Sequence, residues 1–326
     1  MQRLHPRQID HLNNNKTGLL QLSRSLNIFY EMKKILITGA SGFLGWNLCR
    51  IASKEFYGTG LFHNHSTQLP GVTYEKCDIT NYSSLKELIS RIKPDGVIHT
   101  AALSNPNYCQ NNRSESKLVN VTASVNIAGL CSDLEIPCVF TSTDLVFDGK
   151  NPPYSETSAV SPVNLYGEQK LEAEEKMLAV HSKMTICRMP LMFGDVPVHA
   201  KSFIQPWIAD ISSGKSLSLF TDEYRTPVSA SDASRGLLMM LGSGNKVIHL
   251  GGRSSVSRYE FGILLCDVLG KSCANIAKAL QKDFPMAAPR PLNVSLDSSK
   301  AYSFGFNPGD IKEELVKLDC ITSEGK

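Results

Sequence analysis

The clearest indication of the fold is the stretch Ile35-Leu36-Ile37-Thr38-Gly39-Ala40-Ser41-Gly42-Phe43-Leu44-Gly45. Its first four residues have the pattern of a buried strand, and the apolar spacing through Leu48 and Ile51 is that of a helix. The glycines between them allow a tight turn and let backbone N–H groups approach a pyrophosphate at the helix N-terminus. We therefore predict a dinucleotide-binding turn, with cofactor contacts from Gly39, Ser41, Gly42, Phe43, Leu44 and Gly45.

Strand and helix patterns keep alternating downstream of this turn. We expect further strands and helices at 57–62, 72–76, 83–92, 96–100, 118–131 and 138–141. Alternating β and α segments indicate a parallel sheet that is covered by helices on both faces. The predicted fold class is α/β, a doubly wound parallel sheet of the Rossmann type, with the NAD(P)-binding domain at residues 32–190.

The alternation weakens after Met192, where Gly, Ser and Pro turns become more frequent. We expect helices near 203–211 and 259–269 and short strands near 217–220 and 247–250. Residues 191–326 are predicted to form mainly a smaller α+β substrate-binding lobe, with some segments returning to the Rossmann domain. Residues 1–31 are predicted to be a poorly structured N-terminal extension; a targeting segment and a mis-assigned start are the alternatives.

The residues that follow the predicted strands are candidates for ligand contacts, because ligands of such sheets bind at the carboxyl ends of the strands. Asp78 can accept a hydrogen bond from the adenine amine, and the small Ala101 and Ala102 leave room for a cofactor. Asn120 is either an exposed polar residue or a brace that supports the site through water. The cofactor candidates at these strand ends are Asp78, Ile79, Thr100, Ala101 and Ala102.

The end of the second strand bears on the choice of coenzyme. An NAD-binding fingerprint places an acid there to hold the ribose 2′-hydroxyl, yet no Asp or Glu occurs between Glu55 and Glu75. His63 and Asn64 occupy the strand end instead and are predicted to contact the cofactor. We predict NADP, with NAD left open, and no metal site at these histidines.

Tyr166 and Lys170 are candidates for proton transfer. A separation of four residues places both side chains on one face of a helix, where the ammonium can act on the phenol and on a ligand beside it. Tyr-x-x-x-Lys also occurs on solvated helices, so the spacing by itself leaves a surface pair as the alternative. The convergence of the glycine turn and the strand ends on this pair favours catalysis.

Composition and charge exclude several classes of protein. The 326 residues are 42% hydrophobic and 20% charged, which excludes disordered and fibrous chains, and no stretch is apolar enough for a membrane span. The net charge of +3 is spread without basic runs, so we expect neither a nucleic-acid partner nor a membrane partner. Nine cysteines without a Cys-x-x-Cys motif indicate reduced thiols and a cytoplasmic location.

Taken together, these motifs resemble the extended short-chain dehydrogenase/reductases, and within them the dTDP-4-dehydrorhamnose reductase branch. The likeness rests on the glycine turn and on 99–102, 142–149, 161–167, 225–227 and 290–293. It implies that Tyr166 is the general acid on a ketone, that Lys170 binds the nicotinamide ribose and lowers the tyrosine pKa, and that Thr143 contacts the carbonyl oxygen. Asp144 would orient the site and contact the substrate, and a homodimer is consistent with the family.

The resemblance also guides the choice of reaction and substrate. Related dehydratases have a glutamate where this chain has Leu145, so reduction of a nucleotide-linked 4-keto sugar is favoured over dehydration. Asn47 and Leu191 replace a glutamate and a tryptophan of the bacterial rhamnose enzymes, which leaves magnesium dependence and the exact sugar open. A sugar-nucleotide epimerase and a non-catalytic subunit like the methionine adenosyltransferase regulatory subunit are the alternatives. Candidates for binding the substrate diphosphate are Arg225, Arg253 and Arg290, and the alternative for each is an arginine that only solvates a turn.

Overall fold

The computed structural model of the chain describes residues 33–322, so the predicted extension at 1–31 lies outside the described residues. The strands are β1 (Lys34–Thr38), β2 (Tyr57–Phe62), β3 (Val72–Lys76), β4 (Gly96–His99), β5 (Cys138–Thr143), β6 (Met184–Met189), β7 (Met192–Phe193), β8 (Leu217–Phe220), β9 (Tyr224–Arg225), β10 (Val228–Ser229), β11 (Val247–His249), β12 (Val256–Ser257) and β13 (Ile276–Ala279). The α-helices are α1 (Phe43–Ala52), α2 (Tyr82–Ile92), α3 (Pro106–Asn111), α4 (Arg113–Lys117), α5 (Ser124–Asp133), α6 (Leu165–Val180), α7 (Ile204–Ser212), α8 (Ala230–Met240), α9 (Arg258–Val268), α10 (Ser299–Ser303), α11 (Ile311–Val316) and α12 (Asp319–Thr322).

A seven-stranded sheet organises the larger part of the chain. Its strand order is β11-β6-β5-β4-β1-β2-β3, and every neighbouring pair is parallel. Strand β1 lies between β4 and β2, which is the point at which the strand order reverses and where doubly wound sheets bind their ligands. The predicted doubly wound parallel sheet is thereby confirmed.

Two apolar layers cover the sheet, because alternate residues of its strands face opposite sides. One core contains Ile35 and Ile37 of β1 with the buried faces of α1 and α8. The other contains Leu36 of the same strand with α2, α5 and α6. Since both faces are buried, the central strands are almost entirely apolar, which explains why β1 is recognisable in the sequence.

A further apolar core is formed by residues after Met192. Helices α7, α9 and α11 pack with β8 and β13 around Phe193, Phe261 and Leu265. Three small two-stranded sheets, β10-β7, β12-β9 and β13-β8, accompany them. Strand β11 also comes from this late part of the sequence, yet it pairs with β6 at the edge of the main sheet.

Some boundaries differ from those expected. Strand β5 continues two residues beyond the predicted end and carries Thr143. The helix predicted at 118–131 is interrupted, because residues Leu118–Ala123 form a π-helical turn before α5 begins. Periodicity cannot reveal such a turn, since it changes the helix register without changing the apolar character. No helix among the described residues combines the length and the apolar character that a membrane span requires.

Candidate active site

The glycine turn connects β1 to α1 in a conformation that larger residues cannot adopt. Gly39 has φ +69°, and a Cβ there would lie 2.8 Å from the Ala101 backbone. A Cβ on Gly45 would lie 2.2 Å from the Gly39 carbonyl oxygen. The N-cap of α1 is Gly42, without a side-chain cap or an acid in the first turn. This helix N-terminus therefore presents backbone N–H groups to an anion, as a pyrophosphate site requires.

A buried hydrogen-bond network fixes the neighbouring strand end. The hydroxyl of Thr38 lies 2.6 Å from Nδ1 of His99 and accepts hydrogen bonds from the backbone N–H groups of Thr100 and Ala101. Nε2 of His99 lies 2.9 Å from Ser124 Oγ, whose proton goes to the Asn120 carbonyl. Burial lowers the pKa of His99 to about 3, so the ring is neutral and donates through Nε2. The loop at Thr100 is thus held against the glycine turn.

One cavity of about 650 Å³ lies along these strand ends. Every residue predicted to bind the cofactor lines it: Gly39, Ser41, Gly42, Phe43, Leu44, Gly45, His63, Asn64, Asp78, Ile79, Thr100, Ala101, Ala102, Tyr166 and Lys170. The volume is in the range of cofactor pockets. Ser142 also lines it, and its buried hydroxyl has no hydrogen-bond partner among the described residues. The donor set and the glycine turn therefore fit a dinucleotide.

Helix α6 places the tyrosine at the cavity wall. Asn164 is its N-cap and accepts a hydrogen bond from the Gly167 N–H, while its own amide donates to the Pro289 carbonyl. A Cβ on Gly167 would lie 2.2 Å from the Leu145 carbonyl oxygen, so the helix packs directly on the turn after β5. Tyr166, the second residue of this helix, is consequently held next to Thr143.

The tyrosine pKa differs from the expectation. Burial raises the pKa of Tyr166, Cys109 and Asp144 add to the rise, and the hydrogen bond with Thr143 opposes it. Burial has a larger effect on the pKa than the expected lowering, because a buried phenolate lacks hydration that its neighbours do not replace. At neutral pH the hydroxyl therefore holds its proton.

Lys170 lies one turn further along α6, in an apolar setting. Its Nζ lies 3.8 Å from the centroid of the Phe140 ring, and only 1% of the residue is exposed. Burial lowers the pKa of Lys170 to about 7, although Glu174 and Cys109 act in the opposite direction. The lysine therefore titrates close to neutral pH, so its charge is sensitive to a ligand in the cavity.

Thr143 and Asp144 link the turn after β5 to β9, which carries Arg225. The Thr143 hydroxyl donates to Asp144 Oδ1 at 3.2 Å and accepts from the Leu145 N–H. Asp144 Oδ2 lies 3.4 Å from Arg225 Nε, and both side chains are buried. Two residues predicted to contact substrate are thus paired with each other. Neither Thr143 nor Asp144 lines the cavity itself, which ends at Ser142 on this strand.

The other two arginines lie in different surroundings. Arg253 is exposed, donates to the Pro308 carbonyl and lies beside the ring of Tyr302. Arg290 donates to the Ala288 carbonyl and to Asn107 Oδ1. Neither lines the described cavity, so their assignment to a diphosphate stays a prediction.

Asn120 is not an exposed polar residue, which was one of the two alternatives for it. It is fully buried in the π-helical turn. Its amide oxygen accepts from the Leu103 N–H, and its amide nitrogen donates to the Leu103 carbonyl and to Gln169. The residue therefore braces the cavity wall against α6 by direct contacts.

Several lining residues escaped sequence reasoning. They come mostly from the segment after β4, from the end of β6 and from β7: Leu103, Ser104, Glu115, Leu118, Val119, Met189 and Met192. Their only sequence signal is position after a strand or on a helix of unknown rotation, which could not single them out.

The histidines after β2 lie at the far end of the cavity. His63 Nε2 lies 3.9 Å from Asp78 Oδ2, and His65 stacks on His199 with 4.7 Å between ring centroids. The Asp78 carboxylate also accepts from the Thr80 N–H and hydroxyl, which lower its pKa. No carboxylate belongs to the strand end itself.

Asn47 has structural partners. Its amide donates to the carbonyls of Phe43 and Asp195, and its oxygen accepts from Arg50. Among residues 33–322, no group of three or more His, Cys, Asp or Glu side chains is arranged to hold a metal ion.

Comparison with known proteins places this geometry in context. A family model described as the RmlD substrate binding domain matches residues 32–319. The chain is 29% identical over 294 residues to a protein of Haloferax volcanii named probable low-salt glycan biosynthesis reductase, covering 88% of this chain and 98% of the relative. It is 30% identical over 284 residues to methionine adenosyltransferase 2 subunit beta of Xenopus laevis, covering 84% of this chain and 83% of that one.

A solved structure has the same fold. It is that of a dTDP-4-dehydrorhamnose reductase from Bacillus anthracis in complex with NADP. The TM-score is 0.78 at 22% identity, over 88% of this chain and 98% of the other.

Proposed function

The chain belongs to the RmlD substrate binding domain family, and from that premise we propose that it is an NAD(P)H-dependent reductase of a nucleotide-linked 4-keto sugar. The named reductase of Haloferax volcanii and the NADP-bound reductase structure support this proposal. NADP is the favoured coenzyme, and NAD stays open. A cytoplasmic location and a homodimer stay predictions.

The observation that carries the proposal is the meeting of Tyr166 and Lys170 with the glycine turn in one cavity. A dinucleotide whose pyrophosphate lies at the N-terminus of α1 extends along the strand ends towards β5. The tyrosine hydroxyl then lies where the reacting end of such a cofactor is expected. These side chains meet only because α6 packs on the turn after β5.

When bound, the reduced nicotinamide supplies the hydride that the ketone accepts. Tyr166 donates its proton to the oxygen that becomes the new hydroxyl, and the buried phenol keeps that proton at neutral pH until then. Lys170, one turn further along α6, would hold the nicotinamide ribose when the coenzyme is bound and would stabilise negative charge that develops on the tyrosine oxygen.

The residues around Tyr166 argue against dehydration. Leu145, which is buried beside the tyrosine, offers no carboxylate to remove a proton from the sugar, so elimination of water has no base at this position. The apolar wall around Tyr166 includes Phe147, Tyr154 and Val294 and limits the access of water to the phenol.

The experiment that tests the proposal follows coenzyme oxidation with a panel of nucleotide 4-keto sugars. Reduction of at least one of them, with one equivalent of NADPH or NADH consumed per product, is the expected result. Coenzyme that stays bound while the sugar is epimerised would instead favour the epimerase. The panel also identifies the sugar.

A second candidate function rests on the 30% identity to methionine adenosyltransferase 2 subunit beta. In that case the chain binds a catalytic subunit and the cavity holds a coenzyme that is not consumed. Coenzyme binding without turnover of any sugar, together with a stable complex with a methionine adenosyltransferase, would favour this candidate.

A further inference from the structure

The guanidinium of Arg225 is already occupied by protein atoms. Nε faces Asp144 at 3.4 Å, Nη1 donates to the Tyr224 carbonyl at 2.6 Å, and Nη2 donates to the Pro291 carbonyl at 3.3 Å. Glu223 lies 3.7 Å from Nη2. Because 4% of the residue is exposed, a substrate phosphate could reach it only by displacing these partners.

The Asp144 carboxylate needs such a partner. Its Oδ1 accepts from the Thr143 hydroxyl, while its buried Oδ2 has no hydrogen-bond partner among the described residues. An uncompensated buried carboxylate takes up a proton, and a protonated Asp144 is a poorer acceptor for the Thr143 hydroxyl. The hydrogen bond from the Thr143 hydroxyl to Asp144 therefore depends on the positive charge that faces Oδ2.

We propose that Arg225 is a positioning residue of the reduction, which keeps Asp144 ionised and thereby holds the Thr143 hydroxyl beside Tyr166, and that it does not bind the substrate diphosphate. This inference rests on the proposed function for its kinetic consequence. The ion pair itself is a property of the free protein.

A series of alternating charges, buried except for the partly exposed Arg258, supports this role. Arg258 Nε donates to Glu223 Oε1 at 2.8 Å, so Glu223 is shared between Arg258 and Arg225. This series of ion pairs runs from Arg258 at the start of α9, through Glu223 and Arg225, to Asp144 in the turn after β5. The charged and titratable groups that face Asp144 are Arg225, Glu223, Arg258 and Tyr166.

The direction of the effect follows from these charges. Burial raises the pKa of Asp144 to about 6, and Arg225 is the largest influence that opposes the rise. In Arg225→Gln the opposing charge is lost while Glu223 remains, so the pKa of Asp144 rises further. The acidic limb of the kcat profile then moves to higher pH.

The kinetic signature separates positioning from substrate binding. A phosphate-binding arginine contributes to ground-state binding, and its loss raises KM for the sugar nucleotide. A positioning arginine acts on the proton-donating group, so we expect kcat at pH 7 to fall about tenfold or more while KM changes less than about twofold. Arg225→Lys, which keeps the charge without the forked geometry, should retain part of kcat.

The test compares Arg225→Gln, Arg225→Lys and Arg235→Gln with the wild type. Arg235 pairs with Asp232 in the same part of the chain, at 2.5 Å, without touching Asp144, and serves as the control. Titration of the Asp144 carboxyl by ¹³C NMR, assigned with Asp144→Asn, needs no substrate. Circular dichroism checks that each variant is folded. If Arg225→Gln does not fold, the same measurements are made on Arg225→Lys.

The expected results are a higher pKa of Asp144 in Arg225→Gln, a loss of kcat without a rise of KM, and no further loss when Arg225→Gln is added to Asp144→Asn. An unchanged pKa of Asp144, or a loss confined to KM, would overturn the inference. A wild type that turns over no sugar would instead overturn the proposed function, while the titration still decides whether Arg225 controls Asp144.

Discussion

The ammonium of Lys170 lies 3.8 Å from the centroid of the Phe140 ring, buried between α6 and β5. Its pKa is lowered to about 7 from 10.5, mainly by burial. At pH values between about 7 and 10.5, Lys170 is protonated in the unfolded chain and deprotonated in the folded chain. The free energy of unfolding of the coenzyme-free protein should therefore rise with pH across this window.

Lys170→Met tests this charge directly. The variant removes the titrating group and keeps an apolar chain of similar length. The difference in unfolding free energy, variant minus wild type, should shrink from pH 7 to pH 10 by an amount on the order of 4 kcal/mol. Urea unfolding at several pH values measures it, and a difference that is independent of pH would contradict the lowered pKa.

Gly45→Ala should disrupt the glycine turn. The new Cβ would lie 2.2 Å from the Gly39 carbonyl oxygen, so the turn must shift away from the pyrophosphate position. We expect NADPH binding to weaken at least about tenfold, as measured by fluorescence titration. The control is Gly129→Ala on α5. A Cβ there would meet no neighbouring group within 4 Å outside the backbone of its own helix, and helix propensity predicts a small stabilisation. Equal binding by both variants would argue against this binding site.

The strand end after β2 should set the coenzyme preference. Because it has no carboxylate, the KM for NADPH should be lower than that for NADH. His63→Asp places an acid at this end and should shift the preference towards NADH, through both repulsion of the 2′-phosphate and a bond to the ribose hydroxyl. A wild type that clearly prefers NADH would show that the missing acid is a misleading signal.

Much of the cofactor side of the site could be predicted because it depends on local rules. Adjacent parallel strands bring their carboxyl ends together, so the glycine turn and strand-end residues such as Asp78 and Thr100 are expected to lie close to one another. The predicted residues do line one cavity. The fold class follows from the same alternation of strands and helices.

The substrate side could not be predicted in this way, because it depends on contacts between distant segments. Arg225 meets Asp144 across 81 residues of sequence, the difference between their numbers, and no periodicity indicates that pairing. Arg258 was missed because an arginine at a helix start has the pattern of an exposed residue. The raised pKa of Tyr166 likewise arises from burial, which a Tyr-x-x-x-Lys motif does not report.

Tyr166→Phe should remove the proton donor and little else. The ring remains against Leu145 and Phe147, so NADPH binding should be retained. We expect kcat to fall by a factor of about 10² to 10⁴, the usual contribution of a general acid. Steady-state rates and coenzyme titration on the same preparation separate the two effects. Turnover at the wild-type rate would exclude the phenol as the acid.

In the proposed reaction, a coenzyme in the cavity gives its hydride to a nucleotide-linked 4-keto sugar. NADPH deuterated at C4 of the nicotinamide, on each face in turn, follows that hydride into the product. Mass spectrometry should find deuterium at the reduced carbon of the sugar with one of the two labels. A product without deuterium from either label, or coenzyme that stays bound and unconsumed with every sugar, would contradict the proposed reaction.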